Sequence, residues 1–325
     1  MMRAAWYERQ GPARTVLQVG EMDTPQPRPG ELRVRVAASG VHAGDLGKRA
    51  GAFGPMPFPR VVPHGDGAGV VDAVGAGVHQ GRIGQRVWVY LAQSYRPYGT
   101  AAEFTVVPAE HAVPIPDGVS FRSVAALGIP GITAHRAIFA DGPVNGARVL
   151  VTGALGAVGR AAVAVARRGG ATVIASVRHS HQIKEALAAG AHHAVAAGGD
   201  FASRVLEETG NEPIDRVADM AFDTGIDVYA DLLQTGGVIA TYATADARPE
   251  IPYWPLAFKN ISIRLISNDD FPQRANEEAA AELTAAIAAG DLELPVGGHF
   301  PLERIVGAHE AAEQSHEGSR FIIEL

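Results

Sequence analysis

The sequence predicts an α/β protein in two parts: a compact, β-rich, barrel-like unit, then a doubly wound parallel sheet with helices on both faces. Three observations predict it. Short apolar segments bounded by glycine and proline fill the first 120 residues or so. Beyond residue 123, apolar strands alternate with helical segments. Near the start of that second region, "VLVTGALGAVGRAA" (149–162) runs a buried strand into a glycine-studded turn and then an alanine-rich helix.

In the first part, "ELRVRVAASGV" (31–41) alternates apolar and charged residues, the mark of a half-buried strand. "GAGVVDAVGAGV" (67–78) and "GQRVWVYLA" (84–92) are apolar runs closed by turn glycines. The prolines of "TPQPRPG" and "FGPMPFPRVVP" argue against long helices before residue 120. In the second part, strands are expected at 148–153, 171–177, 192–195, 216–221, 236–243 and 261–267, with helices to about 169 and around 181–189, 200–208 and 227–233. Parallel strands need crossovers, which this alternation supplies. After 270 come one long helix, "ANEEAAAELTAAIAAG", and a final strand, "RFIIEL", which is expected to return to the first part. The expected division is therefore 1–122, 123–267 and a return over 268–325.

The turn matches a dinucleotide fingerprint written Ala154-x-Gly156-x-x-Gly159, with Ala154 in the place of the first glycine and Gly153 just before it. Gly156 lets the backbone approach a pyrophosphate, and Gly159 lets the helix lie close to the strand. The helix tip of Leu155, Ala157 and Val158 then offers free N–H groups to the anion. A string of this kind carries weight only in context, and here it follows a strand, opens a helix and heads a βαβ unit of about 30 residues. An NAD site would place an acidic residue at the end of the second strand. This chain has "ASVRHSHQIK" (175–184) there, with Ser176, Arg178, His179 and Lys184 and no acid. A guanidinium grips a 2′-phosphate that a carboxylate would repel. The residues therefore point to NADPH, with a solvated turn as the alternative reading.

Composition narrows the rest. The chain has 325 residues, a formal charge of −7 and no basic cluster, which disfavours nucleic acid as a partner. No apolar run approaches the length of a membrane span. The N-terminal "MMRAAWYERQ" lacks the apolar core of a signal peptide, which predicts a cytoplasmic protein. With no cysteine, disulfides, thiolate nucleophiles and cysteine-ligated metals are excluded.

The chain resembles the medium-chain dehydrogenase/reductases, and within them the zinc-independent quinone reductases related to zeta-crystallin. The resemblance rests on the order and spacing of "ASGVHAGDLGKRAG" (38–51), "PHGDGAGVVDAVGAGV" (63–78), "GRIGQRVWVY" (81–90), "AALGIPGITAHRAIF" (125–139), the phosphate turn, "GGVIATYA" and the closing "FPLERIVGAHEAAEQSHEGSRFIIEL". It implies a GroES-like catalytic domain built from both chain ends, a central Rossmann domain, an active site in the cleft between them and, in most members, a homodimer. Positions that hold zinc in zinc-bearing relatives fall on His42, Gly65 and approximately Ile129, of which only His42 could ligate. His64 and Asp66 offer a weaker His/His/Asp alternative.

By the same resemblance, Thr133, the stretch Tyr242, Ala243 and Thr244, and the pair Ser267 and Asn268 hold the nicotinamide half of the coenzyme. His42 and Asp45 lie near its ribose or the acceptor, with Phe53, Tyr95 and Tyr98 as further candidates for the pocket. His42 stands where an Asn is common, and Gly47 and Phe53 where tyrosines are common, so a dedicated proton donor is not implied. His42 is the candidate acid because its ordinary pKa of about 6.5 lies near neutrality; a hydrogen bond to ribose is the competing role. The pairs His179/His181 and His192/His193 read as solvated turns. Asp219 and Asp223 fit the family pattern or cap a helix. The expected activity is NADPH-dependent reduction of quinones or conjugated carbonyl compounds. The alternatives are an enoyl or 2-alkenal C=C reductase and, in another class, an NADPH-binding protein with little turnover.

Overall fold

The computed structural model describes residues 1–315 and 319–325. The chain divides into two compact units, Met1–Ile129 with Leu294–Leu325, and Pro130–Glu293. Both boundaries differ from the positions expected from sequence. The first falls inside the helix Gly128–Phe139 rather than at 122. The second moves past the helix Gln273–Ala289, which belongs with the second unit; there Arg168 pairs with Glu282 and Asp291.

The first unit is organised by the strand Glu31–Val41. Leu32, Val34, Val36 and Ala38 point into its core, while Arg33 reaches out to both carboxylate oxygens of Asp72 at 2.9 Å. A strand with one buried face is pinned in register, because a one-residue slip would expose that whole set. Asp66–Val74 and Phe104–Pro108 pair with it antiparallel, and so does the terminal strand Arg320–Glu324. The full order is Val296–Pro301, Arg320–Glu324, Glu31–Val41, Asp66–Val74, Arg86–Val89, Ala112–Pro114. Met2–Trp6 and Gln18–Met22 form a separate two-stranded sheet.

The return segment is richer than the sequence suggests. Val296–Pro301, the helix Ile305–Gln314 and Arg320–Glu324 make a strand–helix–strand crossover whose two strands are parallel. "VGGHFP" contains two glycines and a proline and so carries no strand signature of its own. The eight-residue helix Ala43–Ala50, also unforeseen, is the longest helix before residue 120.

The second unit is a six-stranded, all-parallel sheet in the order His193–Ala196, Thr172–Val177, Arg148–Val151, Ile214–Asp219, Leu233–Thr241, Ser262–Leu265. Numbered along the chain within this unit, that order is 3-2-1-4-5-6. The winding therefore reverses between Arg148–Val151 and Ile214–Asp219, and sheets of this kind bind ligands beyond the carboxyl ends of strands at such a reversal. The helix Phe222–Leu232 begins five residues earlier than its sequence pattern suggests, because Phe222 packs into the core. Among the described residues no helix is long and apolar enough to cross a membrane.

Candidate active site

Arg148–Val151 delivers the chain to the switch point, where Gly153 turns it with φ +57°. That left-handed backbone strains any residue with a side chain, and a β-carbon there would also displace the sulfur of Met220, 1.9 Å away. The tight-turn role thus lies with Gly153 rather than at Ala154, which is buried and donates its N–H to the carbonyl of Ser176 at 3.0 Å. Gly156 donates to the Gly153 carbonyl at 2.8 Å and stands just before the helix Ala157–Arg168. A β-carbon at Gly159 would come within 2.2 Å of that same carbonyl oxygen. The absent side chain lets the helix sit down on the turn, with Leu155, Ala157 and Val158 half-buried at its tip. The first amides of a helix have no partner within it, so the turn is a ready cradle for a diphosphate. Arg160 closes the back of the turn by donating to the Leu155 carbonyl at 3.2 Å and pairing with Glu185. Nothing in the fingerprint pointed to Arg160.

The second strand ends on the buried pair Ser176 and Val177, and the chain then surfaces. Arg178, His179 and Lys184 are exposed, and the rings of His179 and His181 stack with centroids 5.4 Å apart. Arg178 and Lys184 form no ion pair with a described residue. The bond from Ala154 to Ser176 ties this basic corner to the phosphate turn.

At the far side of the switch point, Asp219 is fully buried. Its Oδ1 accepts from Tyr229 Oη at 2.6 Å, Thr152 Oγ1 at 3.2 Å and the N–H of Ala221 at 3.0 Å, while Oδ2 has no partner. Burial raises its pKa despite these bonds. Thr152 in turn accepts from the N–H of Met220 at 2.9 Å, so Asp219 clamps the two strand ends that frame the turn. Asp223 accepts from Thr244 Oγ1 at 3.3 Å and from the N–H of Ala245 at 3.1 Å. Neither aspartate is simply a helix cap.

Of the other residues assigned to the nicotinamide half, Thr133 is buried and Tyr242 half-buried, its N–H donating to the Asp219 carbonyl at 3.1 Å. The Ala243 carbonyl accepts from the N–H of Phe222 at 3.2 Å, and the Thr244 hydroxyl also donates to the Asp246 carbonyl at 2.9 Å. Ser267 is exposed, and Asn268 carries a buried Nδ2 without a hydrogen-bond partner. A buried donor left unpaired is costly, and it fits a site completed by an acceptor from a ligand.

In the first unit His42 precedes the helix Ala43–Ala50 and is buried. Asp45 Oδ2 accepts from the His42 N–H at 2.9 Å and Oδ1 from the Gly65 N–H at 3.2 Å, so Asp45 fixes the backbone on both sides. The partner of the imidazole is Asp66: Nε2 lies 2.7 Å from Oδ2, off the line of an N–H bond, so the contact is one of charge. Burial pulls the His42 pKa down, but the carboxylate of Asp66, with help from Asp45, outweighs it and raises the pKa above its ordinary value. Burial pushes Asp45 itself up to about 6. Phe53 is 71% exposed and lies over Gly47, and Tyr95 is 68% exposed at φ +51°. Tyr98 is half-buried against the core.

His64, the second histidine of the His/His/Asp alternative, stands at φ +79°. Its Nδ1 meets Ser39 Oγ at 2.8 Å and its Nε2 meets His309 Nε2 at 2.9 Å. Both ring nitrogens are therefore engaged, and His64 is not available beside His42 and Asp66 as a metal ligand. Among the described residues no group of three His, Asp or Glu side chains could hold a metal ion.

Sheet order and phosphate cradle together place the chain among the proteins with a dinucleotide-binding fold. An alcohol dehydrogenase GroES-like domain matches residues 28–117, and a zinc-binding dehydrogenase family matches residues 157–285. The quinone oxidoreductase of Mus musculus is 30% identical over 311 residues, 94% of this chain and 91% of its own. The 2-haloacrylate reductase of a Burkholderia sp is 30% identical over 322 residues, 95% of each chain. A mycobacterial protein solved in complex with NADPH has a TM-score of 0.84 at 27% identity over 100% of both chains. The chain belongs to the quinone oxidoreductase family of the medium-chain dehydrogenase/reductases, and it is an oxidoreductase that binds a nicotinamide coenzyme. The zinc in the name of one matching family does not fit the donor set here: the chain has no cysteine, and His64 is committed elsewhere.

The buried histidines make stability depend on pH. Burial, then the neighbouring His309 and His42, hold the His64 pKa far below its ordinary value; burial, then Arg49, lower that of His309 to about 3. Unfolded, each takes a proton near its ordinary pKa of about 6.5. Below that pH the unfolded state binds more protons, so stability falls as pH falls, by about 1.4 kcal/mol per pH unit for each histidine. Asp45 works the other way between its folded pKa of about 6 and its ordinary value, and offsets one of the two. Urea unfolding between about pH 6 and 4 should show a shallower loss of stability in His309→Gln than in the wild type. Parallel curves would show that His309 titrates normally in the folded protein.

Proposed function

We propose that the protein reduces quinones, or closely similar conjugated carbonyl compounds, by taking hydride from NADPH without a metal ion. The observation that carries the coenzyme half is the basic corner itself: Arg178 is exposed, has no ion-pair partner among the described residues, and is tied through Ser176 to the phosphate turn. Quinone reduction is supported by the full-length kinship with quinone oxidoreductases. It also suits a site without a Lewis acid, because a quinone is already electrophilic, whereas alcohol oxidation normally relies on a metal to polarise the C–O bond.

When bound, the coenzyme supplies the hydride. The chain's own residues do the rest. The amides of Ala157, Val158 and Gly159 hold the diphosphate, and Gly156 keeps the approach open. Arg178 grips the 2′-phosphate through two hydrogen bonds, with Ser176, His179 and Lys184 beside it. Thr133, Tyr242, Ala243, Thr244, Ser267 and Asn268 hold the nicotinamide half. His42, its pKa raised by Asp66, gives a proton to the oxygen of the reduced acceptor, and Asp45 holds its backbone in place. Phe53, Tyr95 and Tyr98 offer aromatic faces to the acceptor ring. A second reading, reduction of a conjugated C=C bond, is favoured by the 2-haloacrylate reductase among the relatives. It makes His42 the donor to carbon rather than to oxygen.

Stopped-flow oxidation of NADPH against a panel of quinones and enones, with EDTA as control, separates the two. Quinones should turn over fastest and EDTA should change nothing. Preference for enones would favour the second reading, and loss of activity with EDTA would overturn the metal-free mechanism. Arg178→Glu should weaken NADPH about ten- to a hundredfold, the loss of one charge-assisted contact, and leave NADH nearly unaffected. An unchanged NADPH/NADH ratio of Kd values would remove Arg178 from the site.

The same reading makes the protein a homodimer, formed across the strand Ser262–Leu265. That strand ends the sheet, and Tyr253, Trp254, Phe258 and Leu265 are all more than 60% exposed. A free edge beside exposed aromatics is a pairing surface. Solution scattering at micromolar concentration should give twice the chain mass of 34.0 kDa, and a monomer would reject the pairing.

A further inference from the structure

His309, His64, Ser39 and Thr100 form a buried chain of hydrogen bonds, and the quinone reductase mechanism uses none of them. Each link has one proton to give, so its direction can be derived. The Asp66 carbonyl can only accept, and the Thr100 hydroxyl lies against it, so the single proton of Thr100 goes there. Ser39 Oγ lies 2.7 Å from Thr100 Oγ1, which has no proton left, so Ser39 donates to Thr100. Ser39 must then accept from His64 Nδ1 at 2.8 Å. A neutral His64 protonated on Nδ1 has a bare Nε2, which accepts from His309 Nε2 at 2.9 Å. The Nδ1 of His309 is then bare, and of the four ring nitrogens of these two histidines it is the one buried without a partner. The opposite order would leave the contact between the Thr100 hydroxyl and the Asp66 carbonyl without a proton.

We propose that this one-way chain is a positioning device that holds Asp66 against His42, with Ser39, His64, Thr100 and His309 as positioning residues. Its members come from four places: the strand Glu31–Val41, the residue at positive φ two before Asp66, the segment ahead of Phe104–Pro108, and the return helix Ile305–Gln314. They converge on the main chain of Asp66, the first residue of its strand. Its carboxylate, anchored also by the Ile129 N–H at 2.6 Å, is thereby aimed at His42. The left-handed backbone of His64 is unfavourable for a residue with a side chain, and its two hydrogen bonds hold it there. The charged groups acting on His42 are Asp66, Asp45 on the helix Ala43–Ala50, and Arg320 on the terminal strand; His64 stays neutral by burial. The inference rests on the reading that His42 serves the acceptor.

Imidazole 15N shifts of the full chain test it first. His64 should be protonated on Nδ1 and His309 on Nε2, both unchanged from about pH 5 to 8; the reverse assignment overturns the proposal. Ser39→Ala and Thr100→Val each remove one link with little change of volume, and either serves if the other does not fold. In each, the titration midpoint of His42 should drop by at least about half a pH unit, and Thr100→Ser should restore it. A folded variant whose His42 midpoint stays in place would reduce the chain to a structural role and sink the proposal. The alkaline limb of kcat/KM should move with the midpoint. If the midpoint moves and the rate profile does not, the positioning device stands and the catalytic role of His42 falls.

Discussion

A helix can lend its unpaired amides to an anion only if nothing stands between its first turn and the strand that feeds it. Here that condition is met at one contact, where Gly159 passes so close to the Gly153 carbonyl that any β-carbon would collide with it. The seating of Ala157–Arg168 on the turn rests on it, while the hydrogen bond to Ser176 and the clamp from Asp219 through Thr152 hold the strand side of the same turn. Helix-tip partial charge falls off within the first turn, so a side chain at 159 would push the helix out of range of the diphosphate.

The first unit solves a different problem, that of keeping ionisable groups dry. A buried charge is tolerable only beside its opposite, and a buried imidazole without a counter-charge loses its proton. Both outcomes occur side by side. Asp66 raises the pKa of the His42 it faces, while burial lowers those of His64 and His309, which face each other. Neutral rings can pass hydrogen bonds in sequence, which a pair of imidazolium ions could not. Burial is therefore outweighed by carboxylates at one position and leaves an ordered hydrogen-bond chain at the next.

Much of the fold was legible in the residues, and the reason lies in periodicity. Residues 31–36 alternate charged and apolar, and the apolar runs of the second unit are flanked by glycine turns, so those strands lie close to where their patterns put them. Val296–Pro301 was illegible because its glycines and proline do not favour a strand; parallel pairing with Arg320–Glu324 makes it one. The boundaries moved because the helix Gln273–Ala289, polar and alanine-rich, gives no sign of which unit it packs against. The turn and the basic corner could be named because glycine spacing and missing acids are local facts, whereas His42 stood out only through the family resemblance.

Asp66 came up from the residues only as a metal ligand beside His42, and Asp219 as the clamp and the His309–His64 bond could not be read in advance, since the last joins residues 245 positions apart. The sequence by itself determined the β-rich unit, the parallel sheet and the phosphate turn, because each depends on neighbours within a few residues. Tertiary structure alone decided which titratable groups meet and which lose their water. Protonation state follows from that company and that burial, and neither is a property of the chain taken in order.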